Sequence, residues 1–78
     1  MPELEVWYAP IAQCWRVEDG IMFTYYDAPS VVNHFVHRDR PGTASLVGKR
    51  TVWHPILIQA LQRASINFVD FTEDTQAV

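Results

Sequence analysis

Asp19-Gly20 divides the stretch CWRVEDGIMFTYYD into two runs rich in aromatic and β-branched residues, and no other feature of the chain restricts its fold as strongly. Asp-Gly readily supplies both positive-φ positions of a type I′ turn, so the two runs predict a β-hairpin. With a two-residue loop, Val17 faces Met22, Arg16 faces Phe23, Trp15 faces Thr24 and Cys14 faces Tyr25. Side chains alternate along a strand, so this register assigns Trp15, Val17, Met22, Thr24 and Tyr26 to an uncharged core face. The other face carries Cys14, Arg16, Glu18, Ile21, Phe23 and Tyr25. It is too apolar for simple solvation and too charged for a deep core, a mixture expected where a sheet meets a partner.

The remaining elements follow from periodicity and turn chemistry. In ELEVWY, Leu4, Val6 and Tyr8 alternate with Glu3, Glu5 and Trp7, the two-residue period of a strand, and Pro10 ends it. The segment APSVVNHFVHRDRPG is open to two readings. Ser30 after Pro29 would cap a short helix with Val31, Val32, Phe35 and Val36 on one side, yet so many β-formers also suit a strand, and strand is the preferred expectation. Pro41-Gly42 fits a type II turn, which would return the chain through TASLVGKRTVW as the second arm of a hairpin, with Gly48 as its weak point. HPILIQALQRAS predicts an amphipathic helix over about 55–65, with Pro55 in its first turn, His54 at the N-cap, and Ile56, Leu57, Ala60, Leu61 and Ala64 on its buried face. INFVDF then reads as a last strand, and residues 72–78 as a frayed tail.

These elements predict an α+β fold over a single domain, 1–78: an antiparallel β-meander of four to six strands with one helix packed across a face. A chain of 78 residues is too short for two independent cores, and its stability is expected to be modest unless oligomerisation supports it. The single cysteine excludes an intrachain disulfide and points to a reducing, cytoplasmic compartment. No export signal precedes the first strand and no apolar run is long enough to cross a membrane, so no membrane partner is expected. A net charge of −3 favours no polyanion by itself.

The charges are nevertheless unevenly distributed. Arg38, Arg40, Lys49 and Arg50 are four of the six basic residues, and a hairpin turning at Pro41-Gly42 would bring them together as an anion or nucleic-acid contact. No phosphate loop, helix-turn-helix or RNA-binding aromatic pattern accompanies them, and Trp53 alone is a poor stacking platform. His34 and His37 would share one side of a helix but lie on opposite faces of a strand, and a metal would need further ligands from Asp39, Cys14 or His54. Cys14, His54 and Asp27 supply the residue types of a nucleophile, base and orienting acid without any motif that joins them. No metal, cofactor or catalytic residue is therefore expected.

The favoured expectation is a noncatalytic protein-binding module, a homodimer or small inhibitor or accessory subunit, using Trp7, Arg16, Phe23 and Tyr25 as its contact residues. Aromatic and arginine side chains in company are common anchors of protein contacts. The alternatives are anion or nucleic-acid binding through the basic 38–50 segment, and a small oligomeric enzyme with its site between subunits.

Overall fold

A computed structural model describes residues 3–73, and the predicted tail from 74 onward lies outside the described residues. The chain builds β1 (Glu3–Ala9), β2 (Cys14–Asp19), β3 (Ile21–Tyr25), α1 (Ala28–Val36), β4 (Thr43–Leu46), α2 (His54–Arg63) and β5 (Phe68–Asp70). The five strands form one sheet in the order β3-β2-β1-β4-β5. β1, β2 and β3 are an antiparallel meander, as expected, but β4 pairs parallel to β1 and β5 parallel to β4. The fold is thus α+β with a mixed sheet and two helices, which corrects the all-antiparallel, single-helix expectation. The physical reason lies in α1: a helix between β3 and β4 carries the chain back across the sheet, so β4 starts from the same edge as β1.

α1 forms where a strand was expected. Its N-cap is Asp27, in extended conformation, whose Oδ1 accepts from the Ser30 N–H at 2.9 Å. Ala28, Val31 and Phe35 are buried at helical spacing, and nothing in the segment repeats every second residue. The cap and the three-and-four spacing outweigh the β-propensity of Val31 and Val32, which a tertiary context overrides easily. With α1 in place, Pro41-Gly42 joins a helix to a parallel strand, so the expected 38–50 hairpin does not form.

The β2–β3 hairpin is present, but its register differs by one residue from the expectation. Asp19 lies opposite Ile21, Val17 opposite Phe23 and Trp15 opposite Tyr25, with Gly20 alone at the tip at φ +78°. Glycine adopts that left-handed conformation without a Cβ penalty, and the odd-numbered tip rotates all of β3 by one position. Phe23 and Tyr25 therefore lie with Trp15 and Val17, and Met22 and Thr24 lie on the opposite face with Arg16 and Glu18.

One face of the sheet is covered by both helices. Leu4, Val6, Trp15, Val17, Ala44 and Leu46 from the sheet meet Ala28, Val31 and Phe35 of α1 and Leu57 and Leu61 of α2 in a single buried cluster. α2 starts one residue before the predicted helix and buries His54, Leu57 and Leu61, whereas Ile56, assigned from the sequence to the buried face, is exposed. Glu73, which the sequence reading put in the tail, bridges to Lys49, and its N–H donates to the Gly48 carbonyl at 2.8 Å. Among the described residues no helix is long and apolar enough to cross a membrane.

Candidate functional site

The expected contact residues divide between the two faces of the sheet. Trp7 and Arg16 are cross-strand neighbours on the face that no helix covers, beside Glu5 and Glu18, which also pair directly. Phe23 and Tyr25 are half-buried against the core on the helix side. The continuous aromatic and charged face expected from the two-residue loop is therefore absent.

What Phe23 and Tyr25 join instead is a polar brace. The Tyr25 hydroxyl lies 2.6 Å from His34 Nδ1, and His34 Nε2 lies 2.9 Å from Asp19 Oδ2. Arg38 grips the same carboxylate with two bonds, Nε to Oδ2 at 2.8 Å and an Nη2 bond to Oδ1 at 3.1 Å. An ionised carboxylate only accepts, so His34 donates from Nε2, and in the neutral imidazole Nδ1 then accepts the tyrosine proton. The arrangement has the order of a proton relay, but its electrostatics oppose nucleophilic use. Burial, and then the charge of Asp19, raise the Tyr25 phenol above its ordinary range, so the hydroxyl stays protonated. Hydrogen bonding from Arg38, followed by that from His34, outweighs the burial of Asp19 and holds its carboxyl below the ordinary value. The group ties the β2–β3 hairpin to α1 and to the loop that follows it.

The four basic residues do not converge. Arg38 and Arg40 follow α1 at the edge where β4 begins, and Lys49 and Arg50 follow β4 at its other end. Arg38 is engaged by Asp19, and Arg50 by Asp70. His34 and His37 do fall within one helical turn, but His37 Nδ1 is bonded to the Asn33 carbonyl, and His34 is committed to the brace. Among the described residues no three His, Cys, Asp or Glu side chains converge as a metal would need. Cys14 is buried, Asp27 caps α1 and His54 is held by Thr51, so these three form no catalytic group.

A different site emerges at the opposite edge from the hairpin tip. β1, β3, β4 and β5 all run in one direction, so their carboxyl ends share an edge with the N-termini of both helices. Concave ground bounded by loops and helix N-termini is a usual ligand position. Here it is a crevice of about 600 Å³. Tyr8, Trp15, Tyr26 and Trp53 line it together with Asp27 and Thr51. Tyr8 meets Trp15 edge-on at 5.1 Å between ring centroids and Trp53 at 6.4 Å, so the three rings form one aromatic wall. Thr51 positions the last of these: its hydroxyl accepts from the Trp53 N–H at 3.2 Å, and its own N–H donates to His54 Nδ1 at 2.9 Å. With Nδ1 accepting, the proton of His54 sits on Nε2, a buried atom without a partner. Burial, and then the nearby Arg50 charge, push this imidazole below its ordinary pKa, and it stays neutral with its ring edge-on to Trp15 at 5.0 Å.

Around the crevice the same edge is unusually apolar. Ten large hydrophobic side chains are exposed among the described residues, and six of them, Ile11, Tyr26, Val52, Trp53, Ile56 and Phe71, belong to the loops or first helical turn at this edge. The reading from the sequence missed these residues. The available signal was that three aromatics, Tyr8, Tyr26 and Trp53, stand at or just beyond the ends of elements, each within three positions of a proline. No protein-family model, curated protein or solved structure matches the chain.

Proposed function

We propose that the protein is a noncatalytic protein-binding module that docks through the loop edge at the carboxyl ends of its parallel strands. The observation that supports this most is the set of exposed apolar side chains, from fully exposed Ile11 to Trp53 at 48% exposure, at the edge that holds the aromatic crevice. Apolar surface concentrated at one edge of a small domain marks a contact site, and interface cores are rich in tryptophan and tyrosine. A domain of this size also gains stability by covering such surface, which suits either a second copy of the chain or a larger protein to which it is an accessory. Trp7 and Arg16 lie on the uncovered sheet face and contribute no anchor to this edge.

The test is site-specific photo-crosslinking in cells. A benzophenone side chain replacing Val52, in this apolar set, should give a discrete adduct, whereas the same group replacing Gln59, on the outer side of α2, should not. Sedimentation equilibrium of the purified protein then tells whether the adduct is a second copy. Equal labelling from both positions, or none from position 52, would refute the docking edge.

A further inference from the structure

Resting on the contact role proposed above, we infer that the crevice receives the guanidinium of an arginine presented by the protein partner, stacked on the Tyr8, Trp53 and Tyr26 rings and paired with Asp27.

The charge of the site carries the choice. A crevice at two helix N-termini would ordinarily attract an anion, because free N–H groups and the helix dipole both point outward. Both termini are partly capped here. In α1, Asp27 takes the Ser30 N–H with its side chain and the Val31 N–H with its carbonyl, and Pro29 has no N–H. In α2 the His54 N–H is spent on the Thr51 carbonyl, and Pro55 again removes a donor. Beside the Ala28 and Ile56 N–H groups and the Gln13 and Thr51 side chains, the lining offers aromatic ring faces and a single charge: Asp27 is the only ionised side chain among the lining residues. The bonds it accepts from the hydroxyl and N–H of Ser30 hold that carboxyl below its ordinary range, so the charge is permanent at neutral pH. Arg50, one residue before Thr51, is occupied by Asp70 and does not line the crevice.

Within cations, the geometry favours a planar one. A guanidinium lies flat on an aromatic face and still presents its edge to a carboxylate, whereas an ammonium is a point charge that surrenders more hydration to do the same. The volume of about 600 Å³ exceeds one side chain, so flanking residues of the partner segment can enter with the arginine.

Acetylated and amidated Gly-Arg-Gly is the probe, with Gly-citrulline-Gly as its uncharged isostere and Gly-Lys-Gly as the point-charge control. The indole N–H signals of Trp53 and Trp15 in proton–nitrogen correlation spectra report occupancy. The arginine peptide should shift both, and citrulline should bind about tenfold more weakly, the scale of a cation on aromatic faces with a carboxylate partner. Asp27→Asn keeps α1 capped, because asparagine caps as well as aspartate, and should weaken the arginine peptide severalfold without changing the citrulline one. Tyr26→Ala, at a residue 78% exposed and so dispensable for folding, should weaken it too. If citrulline or lysine binds as well as arginine, or Asp27→Asn leaves arginine binding intact, the inference fails while the docking edge stands on its crosslinking result. If no peptide shifts the indoles, the inference fails as well, and crosslinking from position 52 judges the docking edge separately.

Discussion

Asp19→Asn is the sharpest perturbation of the brace, because asparagine keeps the volume of the side chain and its suitability for the Gly20 turn while removing the charge. Asp19 accepts three bonds, two at Oδ2 from His34 and Arg38 and one at Oδ1 from Arg38. If the amide oxygen takes the Oδ2 position, the amide NH2 faces an Arg38 N–H, donor against donor, and one charge-assisted bond is lost together with the ion pair. A bond to a charged group contributes about 1.5–3 kcal/mol net. The side chains of Asp19 and Arg38 retain 23% and 16% exposure, so solvent screens part of this and about 2 kcal/mol is expected. That is a large fraction of the roughly 4–12 kcal/mol a domain of this length possesses, and it should lower Tm by about 8–16 °C. Urea unfolding followed by tryptophan fluorescence measures it directly. The sign with pH is also fixed. The folded carboxyl lies below its unfolded value, so its stabilisation is complete above about pH 4 and is lost as pH falls through the folded pKa. The deficit of Asp19→Asn should therefore shrink in acid. A cost below about 0.5 kcal/mol, within the range of an ordinary surface change, would show that Arg38 and His34 find equivalent partners without the carboxylate and that the brace holds nothing together.

His54 sets a second pH window: its folded pKa is depressed, so the stability it confers is full above about pH 6.5 and falls as pH drops below that value, and His54→Phe should flatten the slope of unfolding free energy between neutral and mildly acidic buffer. Leu57→Ala, at a position with no exposure, should cost about 2–5 kcal/mol by chemical denaturation, whereas Ile56→Ala one position away should cost little because Ile56 faces the crevice and solvent. Ser65, just beyond α2, holds φ at +59°, so Ser65→Gly should stabilise by about 0.5–1 kcal/mol, read as a rise in Tm by calorimetry.

Much of the local structure was legible, and what escaped was chiefly how its parts are joined. The alternation of Leu4 and Val6 gave β1, the spacing of Leu57 and Leu61 gave α2, and Asp19-Gly20 gave the hairpin arms, because each signal is contained in a few consecutive residues. The hairpin register was not legible, since Asp-Gly favours a two-residue tip, whereas here Gly20 alone takes positive φ and Phe23 packs against the core. The parallel pairing of β4 was equally hidden: strand direction depends on the connection, and the connection depends on reading residues 28–36 as a helix. Asp27, three residues before Ser30, was the missed cap. The crevice could not be seen along the chain because its walls come from four separate segments, and Trp53 taken alone is an unremarkable exposed ring.

The mixed sheet also dictates an order of assembly. The β1–β2–β3 meander closes through short turns, whereas pairing Glu3 with Thr43 requires a loop across half the molecule, and such distant closures are the slow part of folding. Tyr8, Tyr26 and Asp27 belong to the early half, but Thr51 and Trp53 arrive only with the late one. A nascent or truncated chain that stops before β4 thus keeps the meander but lacks the Thr51 and Trp53 wall of the crevice, and engagement of the proposed partner would report that the polypeptide has reached its native arrangement.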